Sequence, residues 1–140
     1  MKTFLFRLWQ WLWGFPQTFI GFLFYLTYRK RPHWRFNGCI VTTWHVSGSL
    51  GMGMFLFLNE DHYATDPHVL IHEFGHAVQS AILGPLFLPI MGIPSFLWCN
   101  LPPCRNLRKK KGISYYSFYP ESSANKLGDL VCNGIQSELH

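Results

Sequence analysis

No charged residue occurs between Leu8 and Tyr28. Wound as a helix rising about 1.5 Å per residue, that stretch is long enough to cross a hydrocarbon layer about 30 Å thick. The chain has 140 residues, 49% of them apolar and 18% aromatic, which is more apolar material than one domain of this size needs for its core. It therefore reads as a mostly α membrane protein whose first element, over 1–31, is a transmembrane helix followed by a basic stop at Arg29-Lys30-Arg31. A mean hydropathy of only +0.07 does not oppose this, because the cations cluster there and at Arg108-Lys109-Lys110-Lys111, leaving long uncharged stretches between. Pro16 is expected to kink the helix, and Gln10 and Gln17 to face protein rather than lipid. A cleaved secretory signal fits less well, since no Ala-x-Ala-like site follows. With both basic runs in the cytoplasm, the N-terminus lies outside.

The remainder divides into short elements of one domain spanning 1–140. Residues 36–58 hold Gly38, Gly48, Gly51 and Gly53 beside the strand-favouring run Ile40 to Trp44. They predict a β-hairpin turning near Val46 to Ser49, with a glycine-packed membrane helix as the competing reading. Asn59 to Pro67 is polar and predicts a loop, in which Asp66 caps a helix over 67–83 and Pro67 is its first residue. Pro85, Pro89 and Pro94 break up 86–98, which reads as a re-entrant or kinked membrane segment. A basic loop over 105–112 follows. Tyr115, Tyr116, Phe118 and Tyr119 suit a membrane–water boundary, and a last helix is expected over 121–133. Cys39, Cys99, Cys104 and Cys132 form no C-x-x-C pair. They read as apolar fillers, with a Cys99–Cys104 disulfide open to a loop on an oxidising side. The net charge of +5 does not indicate nucleic acid, because the cations flank apolar segments instead of interleaving with aromatics.

The run His72-Glu73-Phe74-Gly75-His76 carries the chemistry. Residues four apart share a helix face, so His72 and His76 can turn both imidazoles toward one ion, expected to be Zn2+. Glu73 projects beside that ion, where its carboxylate can take a proton from water. With seven His among 140 residues, such a pattern arises by chance with a probability of about 0.01. The bland alternative, two histidines satisfied inside a packed helix, leaves a buried Glu73 without compensation. A catalytic zinc needs a third protein ligand. Glu121 is the candidate, set against a plain role as a first-turn acid of its helix. Asp129 is the alternative third ligand, approaching from the same helix. His68 shares the face of His72 and His76 but lies too far along the axis to join them. His45, Asp61 and His62 are further polar groups that could serve substrate, and Gln79, a turn after His76, either bonds across the helix or merely lines it.

Glu121-Ser122-Ser123-Ala124-Asn125 resembles the gluzincin zinc metallopeptidases, whose third ligand is a glutamate opening a downstream helix in an E-x-x-A-D or E-x-x-S-D pattern. The resemblance implies that Asn125, where that family has Asp, orients His72 through a hydrogen bond. A neutral partner there would leave the histidine less basic. The wider order of elements is similar to a group of small bacterial integral membrane proteins. These share a leading helix, a glycine-rich segment, His-Glu-Phe-Gly-His-Ala-Val-Gln-Ser, Leu83-Gly84-Pro85 and Tyr-Tyr-x-Phe-Tyr-x-Glu. That likeness implies the cytoplasmic membrane of a bacterium as location and carries no activity with it. The Leu127-Gly128-Asp129 order does not reproduce the Leu-Asp-Gly of site-2 intramembrane metalloproteases, in which an aspartate is the third ligand.

Two functions follow as expectations. One is a membrane-bound zinc hydrolase, a metallopeptidase acting on a peptide or protein, in which a hairpin edge pairs with an extended substrate. The other is a non-catalytic membrane protein whose zinc staples two helices together. The same chemistry serves a lipid or cell-wall amide, and nothing in the residues selects a substrate or an oligomeric state.

Overall fold

The computed structural model describes residues 2–46, 48–66 and 68–139. The apolar N-terminal stretch is two helices, α1 (Lys2–Leu12) and α2 (Phe15–Tyr28). The chain turns between them at Gly14, and Pro16 sits in the first turn of α2, where its missing N–H costs nothing. At 11 and 14 residues the two rise only about 17 and 21 Å. Among the described residues no helix is long and apolar enough to cross a membrane. This corrects the transmembrane helix, the membrane fold, the orientation and the integral-membrane location expected above.

The turn is held by polar groups that a hydropathy average conceals. Gln10 and Gln17 are fully buried and face protein, as expected. The Gln10 side chain donates to the Ala77 carbonyl and accepts from Ser80 Oγ, while Gln17 Nε2 donates to Ser80 Oγ and the Gly84 carbonyl. Thr18 Oγ1 donates back to the Gln10 carbonyl. A buried network of this kind, bonded at every described polar atom but Gln17 Oε1, favours one geometry, because each further unpaired member would bear its own desolvation cost.

The predicted hairpin is instead part of a mixed four-stranded sheet, β1 (His33–Phe36), β2 (Cys39–Trp44), β3 (Leu50–Met52) and β4 (Phe55–Asn59), in the order β1-β2-β4-β3. Two hairpins exist. One turns at Asn37-Gly38, both at positive φ, and joins β1 to β2; the other turns at Gly53 and joins β3 to β4. The segment around Val46 to Ser49 is no hairpin turn, because β2 pairs in parallel with β4, Val41 opposite Leu56, and β3 lies beyond β4; Ser47 is outside the described residues. Being central, β2 and β4 are buried on both faces. Cys39, Val41, Leu56 and Leu58 pack on Val69, Leu70, Phe74 and Ala77 of α4 (His68–Leu83), while Trp44, Phe55 and Phe57 meet Trp11, Phe22 and Tyr25 on the other side.

Asp66 accepts from the His68 N–H at 3.1 Å and so caps α4 as expected; Pro67 is outside the described residues. The expected polar loop before it is a short helix, α3 (Glu60–Thr65), capped by Asn59 Oδ1 at the His62 N–H. The proline-broken segment runs as a 3-10 turn (Gly84–Leu86), a π turn (Leu88–Gly92) and α5 (Ile93–Asn100). None of these pieces is a helix long and apolar enough to cross a membrane. The basic stretch is a helix, α6 (Pro102–Lys111), with prolines in its first turn, cations in its last, and Gly112 in the left-handed conformation that ends it. The last helix, α7 (Tyr119–Leu139), starts earlier and runs longer than expected. All four cysteines are free thiols.

Candidate metal centre

The site forms where α7 crosses α4, the most extensive contact between two helices of the fold. Gly75 makes that crossing possible. A Cβ built there would lie 1.8 Å from the Ala124 carbonyl oxygen, and one on Gly128 would lie 2.2 Å from the Ile71 carbonyl oxygen. Without side chains at these positions the two backbones touch, and Glu121, one turn before Ala124, reaches over the imidazoles. The glycine inside the histidine motif is therefore a packing requirement of the site.

Glu121 Oε2 lies 2.8 Å from His72 Nε2 and 3.4 Å from His76 Nε2. The rings of His72 and His76 stand nearly perpendicular, with centroids 4.9 Å apart. One ligand atom from each of the three residues falls within 4.8 Å of the others. Each Nδ1 is tied down from behind. His72 Nδ1 donates to Asn125 Oδ1 at 2.8 Å, and His76 Nδ1 donates to Gln79 Oε1 at 2.8 Å. With Nδ1 engaged in this way, Nε2 is the atom turned toward Glu121, where it carries a proton or, once that proton is lost, offers the lone pair a metal ligand needs. Gln79 also donates to the Pro120 carbonyl and to Ser123 Oγ, so it anchors the start of α7 while it orients His76.

Burial sets the charges. His72, Glu73 and His76 are nearly inaccessible and Glu121 fully so. Burial works against a charge on His72, but the Glu121 carboxylate close against its Nε2 and the charge of Glu73 outweigh it and raise its pKa to about 9. Burial likewise disfavours the Glu121 carboxylate, yet the close imidazoles of His72 and His76 and the Ser95 hydrogen bond hold it well below the usual carboxylate range. Burial pushes the Glu73 carboxyl up, against the pull of His72 and His76. The two glutamates, one held ionised and the other raised, thus have distinct environments.

These residues fit a divalent cation. Glu121 Oε2 is buried with two imidazole nitrogens close beside it, at 2.8 and 3.4 Å, but in no aligned hydrogen bond, a cluster held by charge and proximity. Tetrahedral ligands about 2.0 Å from zinc lie roughly 3.3 Å from each other, close to the spacings found here. Two imidazoles and a carboxylate are moreover a donor set that catalytic zinc uses, with a fourth position open.

Glu73 stands beside this group, not in it. Its Oε2 approaches Gly51 of the edge strand β3, where a Cβ would come within 3.2 Å of it. Glu73 and His76 line a cavity of about 270 Å3 walled by Gly51, Met52, Phe87 and Phe96. Ser95 and Tyr115 belong to the same cavity and were not foreseen. Ser95 Oγ donates to Glu121 Oε1, and burial with the nearby Glu121 charge pushes the Tyr115 phenol up. Nothing in the local spacing of Ser95 or Tyr115 distinguishes them. The Tyr116 ring packs on His72 at 5.1 Å, so one member of the aromatic cluster covers the site.

The other candidates lie elsewhere. Asp129, the alternative third ligand, pairs with His68 at 3.2 Å on the surface. His45 contacts Arg31, and His62 is exposed in α3. Compared with known proteins, the chain matches no family model, no curated protein and no solved structure.

Proposed function

We propose that the chain is a zinc-dependent hydrolase that cleaves an amide bond, most simply a peptidase. The observation that carries this reading is the buried Glu121 Oε2, without an aligned donor, facing the Nε2 atoms of His72 and His76. His72, His76 and Glu121 hold the ion, Asn125 and Gln79 keep both imidazoles turned toward it, and Glu73 is the general base. Zinc, when bound, lowers the pKa of a coordinated water to about 7 and polarises a carbonyl.

Glu73 takes the proton as the water oxygen attacks the carbonyl carbon. It then passes that proton to the amine nitrogen as the C–N bond breaks, leaving a carboxylic acid and an amine. β3 is an edge strand lining the cavity beside Glu73, so an extended peptide can add to it with its carbonyl toward the ion.

The test is metal analysis beside peptide hydrolysis. Wild type is expected to hold about one zinc per chain, and His72→Ala, His76→Ala and Glu121→Ala to lose it. Glu73→Gln should keep the metal while turnover falls roughly 100- to 10,000-fold. A metal-free wild type ends the proposal. Full cellular function in Glu73→Gln would favour instead a purely structural zinc that clamps α4 to α7.

A further inference from the structure

The apolar surface of α1, α2, the proline segment and α5 is largely uncovered. Leu12 is 71% exposed, Phe4 66% and Phe96 63%, with Trp13, Phe15 and Leu86 among the other large exposed side chains. These elements touch in succession, α1 on α2, α2 on the 3-10 turn, that turn on the π turn, and the π turn on α5 and α5 on α6. Trp13 bridges the first part to the second, donating to the Ile82 carbonyl and stacking where Gly84 leaves room. Trp9 donates to the Ala81 carbonyl. Both indole N–H groups are thus satisfied inside the protein, and their rings can enter an apolar phase without stranding a donor.

Charge narrows what can cover such a surface. All seven Asp and Glu residues of the chain fall within 60–73 and 121–138. The elements carrying the apolar surface, and α6 beside them, hold no carboxylate but include Arg29 and Lys30 after α2 and Arg105, Lys109, Lys110 and Lys111 on α6. A second copy packed through this surface would set cations against cations. An apolar phase rimmed by anions satisfies both features.

We infer that this belt of helices docks on an anionic lipid surface, lying along it with Leu12, Trp13, Phe15 and Phe96 in the headgroup–acyl boundary and the α6 lysines against the headgroups. Docking of this kind needs no helix that crosses the bilayer. It is independent of the hydrolytic reading, since vesicle binding requires neither the metal nor turnover.

The test is co-sedimentation of the full chain with vesicles of phosphatidylcholine alone and of phosphatidylcholine mixed with phosphatidylglycerol. Binding to the mixed vesicles is expected to be at least about tenfold tighter and to weaken at about 1 M salt, where charges are screened beyond roughly 3 Å. Replacing Lys109, Lys110 and Lys111 together by Gln should weaken it about 100-fold, at about fivefold per charge. Leu12→Ser with Phe96→Ser should weaken binding to both vesicles by about tenfold or more. Those side chains are exposed, so thermal unfolding monitored by circular dichroism should be unchanged and loss of binding cannot be ascribed to misfolding. Equal affinity for both vesicles overturns the inference, as does failure to bind either. Bound protein that resists alkaline extraction would also overturn it, as would a concentration-dependent dimer abolished by the double serine variant.

Discussion

Two helix pairs flank the central layer, and they differ in how closely their backbones meet. Along the α4–α7 seam, peptide groups touch through Gly75 and Gly128, and polar side chains are buried in matched sets. The α1–α2 pair meets through aromatic rings and the Thr18–Gln10 bond, is tied to α4 by its glutamines, and leaves much of its outer surface uncovered. The seam has no slack, so the position of Glu121 follows from backbone contact. The N-terminal pair has tolerance to spare on its outer side. Apolar surface in this chain is thus of two kinds, buried where it fixes the position of Glu121 and left exposed along the N-terminal pair.

Gly75→Ala should break the seam hardest. A methyl 1.8 Å from a carbonyl oxygen of the facing helix cannot be absorbed by a side-chain rotation, and a loss of about 3 kcal/mol in denaturant unfolding is expected, with loss of bound zinc. Stability within about 0.5 kcal/mol of wild type would mean that contact at Gly75 does not set the crossing. Next in size is Asn125→Ala, which frees the back of His72. Zinc affinity measured by competition with a chelator should fall roughly 10- to 100-fold. Gln17→Ala tests the other pair. It strips partners from buried Ser80 and the Gly84 carbonyl and should cost about 1–2 kcal/mol in unfolding while leaving zinc affinity unchanged. A fall in affinity would show that the two pairs are coupled through α4. The smallest effect belongs to Leu12→Gln, whose side chain is 71% exposed. Its unfolding free energy should stay within about 0.5 kcal/mol of wild type.

The histidine pair was legible because a spacing of four on a capped helix has one geometric outcome. Glu121 and Asn125 lie more than forty positions downstream, and only their resemblance to a peptidase pattern pointed to them. Their convergence depends on Gly75, whose role appears only when the facing helix is known. The N-terminal stretch was misread because a hydropathy window averages over Gln10, Gly14 and Gln17, the residues that make it turn and dock. The sheet was half legible. Asn37-Gly38 is a strong turn signal that the glycines after Trp44 overshadowed, and the parallel pairing of β2 with β4 is non-local, leaving no mark in either strand alone.

Glu121 and Asn125 occupy successive turns of a single helix, one supplying a donor atom and the other steering an imidazole on α4. On the proposed reading, ion occupancy would be a gauge of whether α7 is seated: lifting that helix removes a ligand and a support in one movement, and an ion held there would resist the lifting by the same free energy. Amide exchange along α7 should slow in proportion to the ion's affinity, making the backbone itself a titration curve for the site.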